Sequence, residues 1–263
     1  MYRRGNIFWG IVLILIAVLL LFKQMGILIG DVFSFFWPLL IIAFGAWLIF
    51  GFFARRQPVQ GEQVSIPSQG AASASLRFDH GAGRFNMNSG AGPGEILNGT
   101  FGGGLDQKTR IADSRMDLRM RSPAQFWAWG PGESLDWDVH LNRELPLSLK
   151  VDSGASASVF NLSDLQVTDL DVHTGASSTE ITLPAHTGMT NVNIDTGAAS
   201  LKLHIPTGVS ARIRVKSGLA SVNINQNRFP RLEGGICQSS DYATATNRAD
   251  ISINTGVGAI EVD

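Results

Sequence analysis

The sequence predicts an all-β body, a right-handed parallel β-solenoid-like stack of ~21-residue coils, preceded by a two-helix transmembrane hairpin. Three observations predict it. Two long uncharged apolar runs fill the first 54 residues. A strand motif ending in a hydroxyl residue and glycine recurs at a fixed spacing through the second half. Beyond residue 57, apolar residues alternate with a period of two, and no helical period is present.

Composition narrows the function classes. Charged residues make up 16% of 263, well below the ~25% of ordinary globular chains. The 29 glycines show no G-X-Y period, and 44% apolar content is too high for a disordered chain. The net charge of −1 speaks against nucleic acid as a partner. Residues 1–57 hold five Lys/Arg and one Asp; the rest holds 16 Lys/Arg and 21 Asp/Glu. A single cysteine, Cys237, forms no internal disulfide and no Cys-based zinc site.

The first domain, residues 1–56, reads as the hairpin. Its spans cover about 5–22 and 32–54. An uncharged run of 18 residues reaches ~27 Å as a helix, close to the ~30 Å hydrocarbon core. The short connector Lys23–Asp31, with Gly26 and Gly30, requires antiparallel neighbours. Tyr2, Trp9 and Trp37 suit the headgroup region, and Pro38 is expected to kink the second span. A cleaved signal peptide is the rival reading, but no small-residue cleavage site follows Phe22. Arg3 and Arg4 precede the first span and Arg55 and Arg56 follow the second, against Lys23 alone between them. That asymmetry predicts a multi-pass membrane protein with a cytoplasmic body. Residues 57–70, with Pro58, Gly61, Pro67 and Gly70, read as a linker to a repeat domain over 71–263.

Six copies of the repeat align as Leu76–Gly81, Leu149–Gly154, Leu170–Gly175, Val192–Gly197, Ile213–Gly218 and Ile251–Gly256. From Gly154 onward the glycine spacings are 21, 22, 21 and 38 residues, the last being one period plus a 17-residue insertion. Apolar columns flank each glycine: Val151, Val172, Ile194, Val215 and Ile253 before it, and Phe160, Ile181, Leu203, Ile224 and Val262 after it. Each coil is therefore a strand, a tight turn and a second strand. Gly81, Gly154, Gly175, Gly197, Gly218 and Gly256 are read as turn-formers that need a positive φ. Ser153, Thr174, Thr196, Ser217 and Thr255 are expected to form a hydroxyl ladder. Ala155, Ala176, Ala198, Leu219 and Val257 are expected to point inward at the corner. An antiparallel sandwich is the rival architecture. Residues 90–148 interrupt the period, with loops at Gly92–Gly94 and Gly102–Gly104 and strand-like alternation at Arg115–Arg121 and Leu135–Leu141. The insertion Asn227–Asn247 reads as a loop.

No catalytic pattern emerges, so the chain is read as non-enzymatic, with no cofactor, no metal and no catalytic residue. The stacked column Asp79, Asp152, His173, Asp195, Lys216 and Asn254 mixes charges, as a ladder avoiding like-charge neighbours would. His80, His140, His173, His186 and His204 lack metal-ligand spacing and read as lone surface histidines. Trp127 and Trp129, in Phe126–Pro131, read either as a cap over an open solenoid end or as a contact for a partner or membrane surface.

Phe36–Ile41 (Phe-Trp-Pro-Leu-Leu-Ile) resembles the LiaI/LiaF-like transmembrane region. Trp137–Asn142, Leu145–Leu147, Val151–Ala155, the Asp195–Ala198 turn and the Tyr242–Asp250 run resemble the cell-wall-active antibiotics response, or toast-rack, domain of the same bacterial group. The resemblance implies a solenoid-like β domain, a place in envelope-stress signalling and, for some members, restraint of a sensor kinase. It carries over no catalytic residues. The expected partners are thus the lipid bilayer and a membrane signalling protein such as a sensor kinase. Self-association into a scaffold is the alternative, and a carbohydrate-binding or carbohydrate-active β-helix is the third reading.

Overall fold

The structure, a computed structural model, describes residues 61–123 and 135–263. Twelve strands form one sheet: β1 (Glu62–Pro67), β2 (Ser73–Ser89), β3 (Glu95–Phe101), β4 (Asp106–Ala112), β5 (Arg115–Arg121), β6 (Trp137–Leu141), β7 (Pro146–Asn161), β8 (Gln166–Thr182), β9 (Met189–His204), β10 (Ser210–Ile224), β11 (Cys237–Gln238) and β12 (Arg248–Val262). The main path runs β1-β3-β6-β2-β7-β8-β9-β12-β10-β11, with β5 beside β2 and β4 beside β5.

The repeat copies pair as their alignment demands. Leu76, Leu149, Leu170, Val192, Ile251 and Ile213 lie opposite one another across six parallel strands. This rules out the antiparallel sandwich. It also dictates the shape of each strand. A straight run the length of β7 would extend ~53 Å. The residues 162–165 that join it to β8 reach only ~18 Å. In-register parallel pairing therefore requires each long strand to fold back into two arms.

The fold-back lies at the repeat glycine. Pairing passes from Ser153–Thr174 to Ala155–Ala176 and omits the glycines between them. The inward set shifts by one residue across the same point. In β7 it is Leu147, Leu149 and Val151, then Ser156, Ser158 and Phe160. In β9 it is Val192, Ile194 and Thr196, then Ala199, Leu201 and Leu203. Both arms thus face one core, to which the connecting loops add Leu162, Leu165, Leu183, Ile205 and Val209. At the β2 end, Phe85 packs against Phe78, Trp137 and Phe160 with ring centroids 5.4, 5.6 and 5.2 Å apart. Edge-to-face contacts of this kind add to the burial of the rings.

Several expectations need correction. The two-helix hairpin is not part of the described fold, which is all-β. No described helix is long and apolar enough to cross a membrane, and the expected spans, 5–22 and 32–54, lie outside the described residues. An apolar run licenses a hydrophobic length, not a count of passes.

The copies also do not stack in chain order. β12 inserts between β9 and β10, so the penultimate copy becomes the outer strand. Part of the expected linker is strand. Glu62–Pro67 pairs antiparallel with Glu95–Phe101 and buries Ile66. Only two apolar residues mark that segment, so its partner, not its own pattern, makes it a strand.

The irregular region resolves into a split coil. β5 continues the first arm of β2, and β6 continues its second arm. This matches the alternation read at Arg115–Arg121 and Leu135–Leu141.

Candidate functional site

The repeat glycines do not turn through a positive φ. Gly83, Gly90 and Gly258 do, but none of the six repeat glycines does. Their constraint is close approach. A Cβ on Gly154 would lie 2.6 Å from the carbonyl oxygen of Gly81; on Gly175, 2.8 Å from that of Gly154; on Gly197, 2.7 Å from that of Gly175. Gly256 meets Gly197 at 2.6 Å and Gly218 meets Gly256 at 2.7 Å. The corner is a backbone-on-backbone column with no room for a methyl group. Gly258 is a further constrained position that the repeat pattern does not single out: φ is 139°, and a Cβ there would sit 1.8 Å from the Ala199 oxygen.

Inward and outward at the corner are the reverse of expectation for the residues after the glycine. Ala155, Ala176, Ala198, Leu219 and Val257 are exposed, Leu219 at 82% and Val257 at 52%. The inward places belong to the hydroxyl column, where Thr174, Thr196 and Thr255 are buried and Thr196 donates to Thr255 at 2.9 Å. The one-residue phase shift at the fold-back causes the exchange.

The outer face of the first arms carries the polar side chains. Asp79, Asp152, His173, Asp195, Asn254 and Lys216 form one column, in that spatial order. Beside it, Lys108, Arg119, Arg77 and Lys150 stand side by side across β4, β5, β2 and β7. Four adjacent cations would repel, and carboxylates from the neighbouring column offset this. Arg77 pairs with Asp79 at 2.9 Å and with Asp152 at 2.7 Å, while Arg119 pairs with Asp79 at 2.6 Å. Burial disfavours the Asp79 carboxylate, but the Arg77 and Arg119 guanidiniums outweigh it and hold its pKa below the usual range.

Further along, Lys150 and His173 flank Asp171 at 2.6 and 3.0 Å, and His173 faces Asp195 at 3.2 Å. Burial again opposes ionisation of Asp171, and Lys150, Asn193 and His173 overcome it and lower its pKa. At the far end Asp250 takes Arg214 at 2.8 Å. The face thus runs from a basic end on β4 and β5, through a carboxylate-rich middle, to Arg212, Arg214 and Lys216 on β10.

Chemically this is a network of matched pairs. Among the described residues, no group of three or more His, Cys, Asp or Glu side chains is placed to hold a metal ion. The two carboxylates of the column nearest each other in register, Asp79 and Asp152, are bridged by Arg77.

His80 departs from the surface reading of the histidines. It is 2% exposed, within the aromatic cluster. Its Nε2–H donates to the Leu135 carbonyl at 2.9 Å, and Nδ1 has no partner. Burial depresses its pKa against the smaller effects of the Leu135 bond and Asp136. Trp127 and Trp129 lie outside the described residues.

A β stack with a paired polar face, preceded by an apolar segment, defines the class: a membrane-associated protein with a repeat β domain. The comparisons place it in a family. Residues 55–204 match the N-terminal domain of toast_rack, DUF2154, and the chain belongs to that family. Residues 7–49 match the LiaI-LiaF-like transmembrane region. Together these matches make it a membrane-associated, envelope-stress-related protein. Its fold is similar to the crystal structure of a "putative cell adhesion protein" from Clostridium sporogenes ATCC 15579, with 21% identity and a TM-score of 0.71 over 78% of this chain and 99% of that one. No curated protein matches the chain.

Proposed function

We propose that the chain is a non-enzymatic membrane-anchored component of a bacterial envelope-stress response, and that its β domain is a protein-interaction module acting on a sensor kinase. The observation that supports this reading is the outer face of the first arms. It is a continuous polar surface spanning β4, β5, β2, β7, β8, β9, β12 and β10, with most of the charges in its middle already paired. Such a surface recognises by pattern and does no proton transfer of its own. Paired charges at an interface set specificity and approach rate more than raw affinity.

Arg55 and Arg56, just ahead of the body, favour its cytoplasmic placement, where it would meet the kinase's inner face. The test is affinity purification of the full-length protein from gently solubilised membranes, with and without a cell-wall antibiotic. A sensor kinase should co-purify, and charge reversal at Lys150 and Asp171 together should release it. Recovery without any kinase under both conditions would overturn the reading. Paired reporters on Asp263, one active only inside and one only outside, test the side of the membrane separately.

A further inference from the structure

The stack has an open end. β11 pairs with β10 only at Arg212 and Ile213. From Arg214 to Ile224 the outer edge of β10 has no strand beside it among the described residues. The core is covered there only in part, by the loop after β10, which buries Phe229 and Cys237. A depression of about 200 Å³ opens between the arms, lined by Val215, Val222 and Ile224 with Arg231 and Cys237 from the following loop. Val222 is 39% exposed and Leu219 82%. Lys216 ends the polar column and has no ion-pair partner among the described residues.

We propose that this edge pairs with the same edge of a second copy, antiparallel, about a two-fold axis passing between Gly218 and Leu219. The fold-back argues for that register. Because the inward set shifts by one residue at the glycine, the first arm of β10 faces inward at Ile213, Val215 and Ser217, and the second at Ala220, Val222 and Ile224. These sets mirror one another about the Gly218–Leu219 bond. In the symmetric register Val215 lies opposite Val222 of the other copy, and Ser217 opposite Ala220. Core meets core. On the outer face, Lys216 lies opposite Ser221 and Arg214 opposite Asn223, so no cation meets a cation. The unpaired stretch from Arg214 to Ile224 extends almost equally to either side of the same bond.

Head-to-tail stacking is disfavoured. The opposite end of the first arms is β4, whose Lys108 and Arg110 would meet Arg214 and Lys216. One closed dimer forms, not an open fibre, because the same patch is used by both partners. The dimer does not rest on the sensor-kinase reading; either can fail alone, since one is read from self-linkage and the other from a co-purified kinase.

The test uses the full-length protein in native membranes. Leu219→Cys, at an exposed position beside the axis, should give a disulfide-linked dimer on mild oxidation. Thr109→Cys on the exposed β4 should not, and buried Cys237 leaves the unaltered protein monomeric on the same gel. A charge pair then sets the sign. Ser221→Asp, facing Lys216 of the other copy twice per dimer, should tighten dimerisation about three- to tenfold, and Ser221→Lys should weaken it by a similar factor. Both are surface changes, and an unchanged melting profile shows that folding is intact. No Leu219→Cys dimer, equal linkage from Thr109→Cys, linkage only to another polypeptide, or Ser221 variants that shift association in the same direction would each overturn the proposal.

Discussion

A methyl group added to Gly197 would sit 2.7 Å from the Gly175 carbonyl oxygen, inside a column held by strands on both sides. The backbone has to give, and overpacking of this kind costs about 1–3 kcal/mol. Gly81 ends the same column, and a methyl group there would meet nothing within 4 Å. Gly197→Ala should therefore lower the denaturation midpoint clearly, while Gly81→Ala should stay within about 0.5 kcal/mol of the parent. Equal losses would show that the glycines serve backbone conformation after all. The column itself is legible from the repeat, but its cause is not, because glycine marks a positive φ and a close approach alike. His80 escapes a sequence reading for a related reason: nothing local distinguishes a buried histidine, and Phe85 and Trp137 reach it only through the fold. Its folded-state pKa lies below the ordinary 6.5 because of burial. The unfolded chain therefore binds the proton first, and the stabilising effect is full above pH ~6.5 and lost as pH falls below it. His80→Phe should flatten the stability–pH slope in that window whatever it does to stability at pH ~8. An unchanged slope would assign the acid sensitivity to other groups.

Asp79 ties three strands together. Its carboxylate takes Arg77 from its own strand and Arg119 and Arg121 from β5, and Arg77 passes the link on to Asp152 in β7. Asp79→Asn keeps the shape and removes the charge, leaving the cation row without its main counterion. A loss of about 1–2 kcal/mol is expected at low ionic strength, shrinking in high salt as the repulsion between the freed guanidiniums is screened. A salt-independent loss would instead indicate packing. At this scale the sequence is informative where strands repeat and silent where they do not. The six long strands announce their register through columns of Leu, Val and Ile. β4 gives no sign, since all seven of its residues are exposed and it exists only as the partner of β5. β1 and β3 are short; β1 owes its state to β3, and β3 lies between β1 and β6. The polar ladder shows in the sequence as a mixed-charge column, and His173 to Asp195 does pair within it, yet Arg77 to Asp152 runs diagonally between columns and Lys150 to Asp171 lies in the neighbouring column, which a one-column reading does not reveal.

The order of the stack is a property of the whole chain. The β9–β10 connection, residues 205–209, is as short as the links between strands that do stack in sequence, so β10 could lie directly on β9. β12 takes that place instead. Both strands fit the same columns, so periodicity cannot choose between them. Their surfaces do. β12 offers Ile251, Ile253, Ile260 and Val262 inward and only one outer carboxylate, Asp250, on its first arm, which suits an interior strand. β10 carries Arg212, Arg214 and Lys216 on the outer face, the kind of charge that natural edge strands use against indiscriminate pairing. If this competition sets the order, removing β12 should let β10 move inward. A chain ending at Asn247 would then place Lys216 beside Asp195, a favourable pair that the complete chain separates by the width of a strand. Asp195→Cys with Lys216→Cys reads the exchange. In the complete chain the two sites lie two strand spacings apart, ~9.6 Å, beyond disulfide reach. In the shortened chain they would be neighbours and should cross-link, with β structure retained at reduced stability. A shortened chain that keeps its β structure without the cross-link would mean that β10 is held in place by β11 and its loop rather than by β12, and one that unfolds would mean that β12 is required for the stack to close.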